Sequence, residues 1–333
     1  MIANNLLPWH EPAWQQLVEA AAADRLAHGL LLRGQGGVGK GLFARTVAAG
    51  LLCDTPGLAL ACGNCRPCQL LASGNHPDFV EIAPEEDKKQ VRVEQIRDLI
   101  SRLALTSTLG GYKVAIINPA DAMNPSAQNS LLKTLEEPSA RTVLILSSSQ
   151  PAALAATIIS RCQTVRFASP PTAAALEWLQ QQGDADWPGL LQLAWGAPLA
   201  ALELAAHDAA GMGATLAGQL DELMAGKADA VSIAENWAAD HPQVRLRWLQ
   251  QQVYGLIQWQ LTGQAPELVH KTLQRSLQKL IPDLSLTESY RYLDQLQRVI
   301  GLADRAINQA LTILPLLAAW SDGPQLGRAA ETL

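Results

Sequence analysis

The chain has 333 residues, of which 48% are hydrophobic and 17% are charged, and its formal net charge at pH 7 is −6. This composition is typical of a folded globular protein of two or three domains, and it excludes a largely disordered chain. The acidic balance argues against a protein that grips duplex DNA through its overall electric field. Apolar runs of membrane-spanning length and signal-peptide features are both missing from the sequence, so we expect a cytoplasmic protein with no membrane partner.

The first half of the chain alternates short apolar runs with helical patterns. Each apolar run is bounded by turn or polar residues, which is typical of a buried strand. The predicted strands are residues 28–34, 78–83, 112–118 and 141–149. This alternation predicts an α/β domain, in which a mainly parallel sheet is covered by helices on both faces.

A glycine-rich segment, RGQGGVGKG at 33–41, follows the first predicted strand and opens a helix. It matches the phosphate-binding loop pattern G-x-x-x-x-G-K-[ST] except at the last position, where Gly41 replaces the hydroxyl residue. In such a loop the glycines let backbone N–H groups approach phosphate oxygens, and the lysine contacts the β- and γ-phosphates. The candidate nucleotide-binding residues are Gly34, Gly36, Gly37, Gly39 and Lys40.

Four of the five cysteines lie between positions 53 and 68. In a reducing compartment such clustering favours a metal site over disulfides, and two-residue spacers let tight turns direct successive thiolates at one ion. Four thiolates leave no open coordination position, so the predicted zinc is structural. The alternative is a group of small buried hydrophobic side chains. The predicted ligands are Cys53, Cys62, Cys65 and Cys68.

The oxygen ligands that hold Mg²⁺ in a hydrolysing enzyme are missing from their expected positions. Gly41 has no hydroxyl, and the third predicted strand ends in Asn118-Pro119 where acidic residues would be expected. Asp121 lies past the strand end and is interpreted as a residue that caps or turns the following loop. We therefore expect neither a Mg²⁺ site nor hydrolysis. Binding of ATP or ADP without turnover remains open, as does a glycine-rich turn with no ligand.

After residues 166–175, where two prolines interrupt the pattern, the remaining sequence reads as helical. Ser285 and Glu288 have the spacing of a capping box that opens one of the later helices. The predicted division is an α/β domain at 1–168 with an inserted zinc module at 53–68, a small helical lid domain at 169–207, and a helical bundle at 208–333.

The segment that begins at Asn124-Pro125 reads as a helix, then a strand, then a short helix. Its LLKTLEEP (131–138) and TIISRCQ (157–163) motifs resemble the signature of the bacterial clamp-loader members of the AAA+ superfamily. The resemblance extends to the cysteine cluster and to PWHEPAWQQL (8–17), NHPDFVEI (75–82) and VRVEQIRDL (91–99). It covers most of residues 8–168, and beyond residue 170 it consists of the expected helical architecture alone.

The resemblance implies an AAA+ fold and a place in a heteropentamer. Its other members would be gamma or tau motor subunits and a delta subunit, which together open a sliding clamp around primer–template DNA. The motor subunits of this family keep the Mg²⁺ hydroxyl and an acidic pair, whereas this sequence has Gly41, Asn118 and Pro119. It therefore resembles a non-hydrolysing stator, with the bundle at about 208–333 serving as a collar that holds the ring together.

The resemblance also implies a role for Arg161, in the sequence Ser160-Arg161-Cys162. In the family this arginine enters the ATP site of the neighbouring subunit and acts in trans as an arginine finger. From the residues alone, the alternative is a surface arginine at a helix C-terminus. The alternative function for the whole chain is a catalytically active AAA+ ATPase, because the loop glycines and Lys40 are present.

Other residues near these motifs have plainer interpretations. Ser148 falls where family members carry a polar sensor residue, although a turn of three serines fits equally well. Cys162 is expected to pack, because it is remote in sequence from the cysteine cluster. Glu136 and Glu137 are interpreted as a solvated helix end near Lys133, and not as a general acid–base site.

Overall fold

The computed structural model describes residues 6–85, 88, 90–206, 209–266, 269–302 and 308–321. The strands are β1 (Gly29–Gly34), β2 (Phe79–Ile82), β3 (Lys113–Ile117), β4 (Thr142–Ser148) and β5 (Gln163–Phe167). The helices are α1 (Glu11–Ala22), α2 (Lys40–Leu52), α3 (Arg66–Ala72), α4 (Val93–Ala104), α5 (Pro125–Glu136), α6 (Ala156–Ile159), α7 (Thr172–Gln180), α8 (Trp187–Leu193), α9 (Pro198–Ala206), α10 (Ala209–Met224), α11 (Ala230–Ala239), α12 (Pro242–Thr262), α13 (Lys271–Leu280), α14 (Leu286–Leu302) and α15 (Gln309–Ala318).

The five strands form one parallel sheet in the order β2-β3-β4-β1-β5. β1 lies between β4 and β5, and its residues Leu30, Leu31 and Leu32 are fully buried. A strand covered on both faces needs continuous apolar sequence, which explains the GLLL run at the start of β1. Because parallel strands end at the same edge, the loop after β1 lies beside the ends of β3 and β4.

Helices cover both faces of the sheet. On one face, Leu31, Leu144 and Leu146 pack in a single apolar cluster with side chains from α4, α5 and α6. On the other face, α2 contacts β1, β3 and β4. Asn124 caps α5, since its side-chain oxygen accepts a hydrogen bond from the backbone N–H of Ala127 at 2.8 Å. The predicted α/β class and the four predicted strands are confirmed.

One strand was not predicted from the sequence. β5 joins the sheet by pairing with β1 in parallel, for example Leu32 with Val165. Its five residues contain a short apolar alternation, with Val165 and Phe167 buried and Arg166 exposed. So short a pattern is ambiguous by itself, and its assignment depends on the open edge of β1 that it fills.

The described residues divide into two compact units, 1–181 with 196–200, and 182–195 with 201–333, each including only its described part. The second unit is helical, and its core includes the buried side chains of Trp237, Leu246, Tyr292 and Trp320. The predicted capping box is present, because Ser285 N and Glu288 N each donate to the side chain of the other residue. The finer division into lid and collar stays a prediction, and parts of the 208–333 segment lie outside the described residues.

Within the described ranges, no single helix combines the length and hydropathy needed to cross a membrane.

Candidate functional site

The predicted phosphate loop joins the end of β1 to the start of α2, and the packing of the chain itself requires glycine at positions 37 and 39 of this loop. Gly37 and Gly39 have φ angles of +78° and +90°, in the left-handed region that strains other residues. A Cβ at Gly37 would lie 2.6 Å from Cβ of Ala200, and one at Gly39 would lie 2.7 Å from Cδ1 of Leu7. Two neighbouring segments therefore close directly against the loop.

The Lys40 ammonium is buried and held by acceptors from the same chain. Its Nζ donates to Gly34 O at 2.8 Å, to Gln35 O at 2.7 Å and to Ser149 Oγ at 2.9 Å. Burial lowers the pKa of Lys40 to about 8, against the opposing effect of the Asp121 carboxylate. The amine is therefore still mostly protonated at pH 7, and its three hydrogens all have partners within the protein.

The carbonyl group of Val38, in the middle of the loop, is held by the segment before α1. Trp9 Nε1 donates to Val38 O at 2.9 Å, and His10 Nε2 lies 2.9 Å from the same oxygen. Leu7 N donates to His10 Nδ1, so the ring carries its proton on Nε2 and donates to Val38. Burial lowers the pKa of His10, which keeps the ring neutral at pH 7. Leu199 N also donates to Gly37 O at 3.0 Å.

The two positions that would supply Mg²⁺ ligands pack against each other. Gly41 lies in the first turn of α2, and a Cβ there would lie 2.7 Å from Nδ2 of Asn118. Asn118 follows β3, and its Oδ1 accepts a hydrogen bond from Ser147 Oγ. The N–H end of the amide therefore faces Gly41, where a divalent cation would need oxygen ligands. These residues do not fit a Mg²⁺ site of the phosphate-loop type.

Asp121 lies in the 3₁₀ turn at Ala120–Ala122 that follows β3, and its side chain also contacts the segment after β4. Its Oδ1 accepts a hydrogen bond from the backbone N–H of Ser149 at 3.2 Å, and Ser149 in turn binds Lys40. Ser149, and not Ser148, is thus the serine after β4 that contacts the loop lysine. Ser148 is buried, and the Ser147 contact with Asn118 places the Ser148 side chain on the opposite face of β4. A sensor role for Ser148 stays a prediction.

The side chains of the four clustered cysteines converge on one point. Their Sγ atoms all lie within 4.8 Å of one another, and those of Cys53 and Cys65 are 3.8 Å apart. Tetrahedral zinc with Zn–S bonds of about 2.3 Å requires S···S distances of about 3.8 Å. Cys53 follows the last residue of α2, Cys65 precedes α3, and Cys68 lies within α3. The donor set and its spacing therefore fit a closed structural zinc site.

Local hydrogen bonds already favour thiolates at part of this cluster. Burial opposes ionisation of Cys53, but N–H and O–H donors from Cys62 and Thr55 outweigh it and lower the pKa of Cys53 to about 6. Backbone donors at Asn64 and Cys65 likewise lower the pKa of Cys62. Burial raises the pKa of Cys68 to about 12. This thiol would therefore lose its proton only when the positive charge of a bound metal ion stabilises the thiolate.

Arg161 lies away from the loop of its own chain. It follows α6 and precedes β5, and its carbonyl oxygen is 3.3 Å from a Cβ placed on Gly29, the first residue of β1. The phosphate loop begins after Gly34 at the other end of that strand, about 17 Å away at 3.3 Å per residue. Because an arginine side chain cannot span that distance, Arg161 does not serve the Lys40 loop of its own chain.

The guanidinium of Arg161 has partners that the sequence did not reveal. Its NH1 donates to Thr157 O at 2.9 Å, and its NH2 forms an ion pair with the Glu136 carboxylate. Glu136 is thus paired across the fold, although its side chain is 48% exposed and the helix end is solvated as predicted. Cys162 packs beside the α4–α5 cluster, and burial raises the pKa of its thiol to about 11.

Comparison with known proteins gives a consistent family. Residues 9–171 match the family model described as DNA polymerase III, delta subunit, and residues 214–322 match DNA polymerase III, delta subunit, C terminal. The DNA polymerase III subunit delta′ of Pseudomonas aeruginosa is 38% identical over 97% of this chain and 99% of that protein. The subunit delta′ of Yersinia pestis is 34% identical over 77% of each chain. The subunit tau of Escherichia coli is 35% identical over 36% of this chain and 18% of that protein.

The cysteine cluster predicts that the purified chain contains about one zinc ion. Replacing an exposed ligand, Cys62→Ser, should lower the zinc content because three thiolates hold the ion more weakly. Elemental analysis of protein purified without added metal measures this. Cys162→Ser is the matched control and should keep its zinc; wild-type protein that contains no zinc would contradict the assignment.

The loop geometry predicts that Gly39→Ala destabilises the chain in the absence of any nucleotide. The new Cβ would be strained at φ +90° and would meet Leu7 and His10, so the free energy of unfolding should fall by about 2–4 kcal/mol. Urea unfolding compares it with Gly36→Ala, where the nearest atom is 3.7 Å from the new Cβ. Equal stability of the two variants would show that the described packing of the loop is wrong.

Proposed function

Because this chain belongs to the DNA polymerase III delta′ family, we propose that it is the non-hydrolysing stator subunit of a DNA polymerase III clamp loader. The observation that carries the non-hydrolysing part is the close approach of the Asn118 amide to Gly41, where a Cβ would lie 2.7 Å from Nδ2, at the place of a Mg²⁺ site. Hydrolysis of ATP needs a cation that neutralises the developing charge and a residue that orients the attacking water. Pro119 provides no such group.

The hydrogen bonds around the loop support a rigid frame. Lys40 is held by Gly34, Gln35 and Ser149, and the Val38 carbonyl is held by Trp9 and His10. A phosphate-loop conformation is thus stabilised by the chain itself and does not depend on a nucleotide. This is the property expected of a subunit that stays fixed while its neighbours cycle through ATP binding and release. The glycines and Lys40 keep the form of a nucleotide cradle, without a Mg²⁺ ligand set.

In the proposed assembly this chain joins gamma or tau motor subunits and a delta subunit in a heteropentamer. The motor subunits bind ATP, the ring engages the sliding clamp, and the clamp opens around primer–template DNA. The helical bundle at about 208–333 provides the collar that holds the ring together. The net charge of −6 is consistent with DNA contacts that are shared across the complex and are not made by this chain alone.

Within this assembly Arg161 acts in trans as an arginine finger. Its position at the opposite end of β1 from the Lys40 loop makes it unable to serve its own chain, so the acceptor must belong to a neighbour. A guanidinium supplied to the transferring phosphoryl group stabilises the charge that develops in the transition state. This would be the direct contribution of the chain to catalysis.

The non-hydrolysing proposal predicts that the isolated chain with Mg·ATP releases phosphate only at the background rate. The same rate should be measured for Lys40→Ala, because the lysine has no reaction to assist. A coupled phosphate-release assay tests both proteins side by side. Sustained release that Lys40→Ala abolishes would favour the rival function, an active AAA+ ATPase of the gamma/tau type.

The finger proposal predicts that Arg161→Ala leaves the complex assembled and slows its DNA-stimulated ATPase. The rate of ATP hydrolysis at the neighbouring site that Arg161 enters should fall about 10³-fold, while the other ATP sites keep their rates. The ATPase rate of the whole complex therefore falls by the share that this one site contributes. Steady-state ATPase and gel filtration of the reconstituted complex measure the two effects. Arg166→Ala, an exposed arginine in β5, is the control; unchanged turnover with Arg161→Ala would remove the finger role.

A further inference from the structure

The ion pair between Glu136 and Arg161 joins two segments that the fold brings together. Glu136 is the last residue of α5, and Arg161 follows the end of α6. Both segments converge on β1: His28 Nε2 lies 2.9 Å from Leu135 O, and a Cβ at Gly29 would be within 3.3 Å of Leu135 and of the Arg161 carbonyl. The backbone at both ends of the pair is therefore anchored on the buried sheet.

The location of Glu136 has an electrostatic cost that the pair offsets. A carboxylate at the C-terminal end of a helix faces the partial negative charge of the exposed carbonyls, and Glu137 adds a second negative charge beside it. The positive charge of the Arg161 guanidinium offsets this unfavourable interaction. Because the Arg161 and Glu136 side chains are 33% and 48% exposed, such a pair contributes little to folding stability. Its main effect is on where the guanidinium lies.

The guanidinium is held through both of its terminal nitrogens and retains further N–H donors. NH1 bonds to Thr157 O, with a longer 3.4 Å contact to Ser160 Oγ, and NH2 bonds to Glu136. Arginine has five N–H donors in a fixed plane, so these contacts leave donors that point elsewhere. The side chain can remain fixed by Thr157 and Glu136 while it donates to an external phosphoryl oxygen.

We propose that Glu136 is the positioning residue of Arg161. Glu136 fixes the plane of the guanidinium before Arg161 contacts the phosphate of ATP bound to a neighbouring subunit. A long arginine side chain would otherwise have to be ordered during the reaction, and a fixed donor avoids that ordering cost in the transition state. Glu136 itself does not touch the nucleotide. This inference rests on the proposed function of Arg161 as an arginine finger.

The test uses the reconstituted clamp-loader complex with a sliding clamp and primed DNA, and it measures kcat and KM for ATP. Glu136→Ala should lower kcat by at least about half of the decrease caused by Arg161→Ala, with KM unchanged, because an interaction made in the transition state is weakened. Glu136→Gln should retain most of the rate, since its amide oxygen still accepts from the guanidinium. The double variant Glu136→Ala/Arg161→Ala should equal Arg161→Ala, because Glu136 acts through that arginine.

Glu137→Ala is the matched control, since it removes the same charge from the adjacent exposed position and should leave the rate unchanged. Thermal unfolding and gel filtration verify that each variant folds and assembles. If Glu136→Ala does not fold, Glu136→Lys takes its place, because a lysine there repels the guanidinium and should lower kcat in the same way. The inference is overturned by an unchanged or increased kcat for Glu136→Ala, by a change in KM alone, or by equal effects at 136 and 137. If Arg161→Ala itself has no effect, the finger role fails first, and the positioning role fails with it.

Discussion

The hydrogen bonds of the Lys40 ammonium are the interaction on which the rest of the first unit depends. They join the end of β1, the loop after it and Ser149 beyond β4, so one buried cation fixes three segments at the same edge of the sheet. In a hydrolysing enzyme of the phosphate-loop type, the oxygens of a bound phosphate group accept hydrogen bonds from such a lysine. Here Asn118 and Gly41 leave a Mg²⁺ ion without oxygen ligands, and the protein's own oxygens satisfy the amine. The loop has therefore kept the backbone geometry of a nucleotide cradle while its polar groups hold the fold together.

Much of this structure could be predicted from local sequence, and the rest depends on contacts between distant segments. The apolar runs located four strands, Asn124-Pro125 located the start of α5, and the cysteine spacing located the cluster of thiols. These signals are local, because each is set by periodicity, by a cap or by ligand spacing. β5 was missed because its pairing with β1 follows from the order of the strands. Two sets of side-chain contacts were missed for a similar reason, those of Trp9 and His10 with Val38 and that of Glu136 with Arg161. Each contact joins residues far apart in sequence, and a polar residue outside a periodic pattern does not indicate its partner.

α2 connects the two sites that have the strongest sequence signals. Its first residue is Lys40, and Cys53 follows its last residue, so the loop and the thiol cluster lie at opposite ends of a helix of 13 residues, about 20 Å long. The helix is buried along most of its length, which keeps both ends in register with the sheet. A zinc ion at the cluster would fix the far end of this helix and the short helix α3, and would leave the chemistry at the near end unaltered. A metal at the cluster and the phosphate loop would thus be coupled through rigid packing and not through a shared reaction.

The separation of Arg161 from the Lys40 loop along β1 has a consequence for any ring in which the chain takes part. Subunits that carry an acceptor site at one end of the central strand and an arginine at the other can associate head to tail, each acting on the next. In the proposed ring, a member with the arginine but without cation ligands acts on the ATP site of one neighbour and has no hydrolysing site of its own for the other neighbour to act on. One of the two interfaces of this member would then be catalytic and the other would not, so the proposed ring would be asymmetric at this subunit.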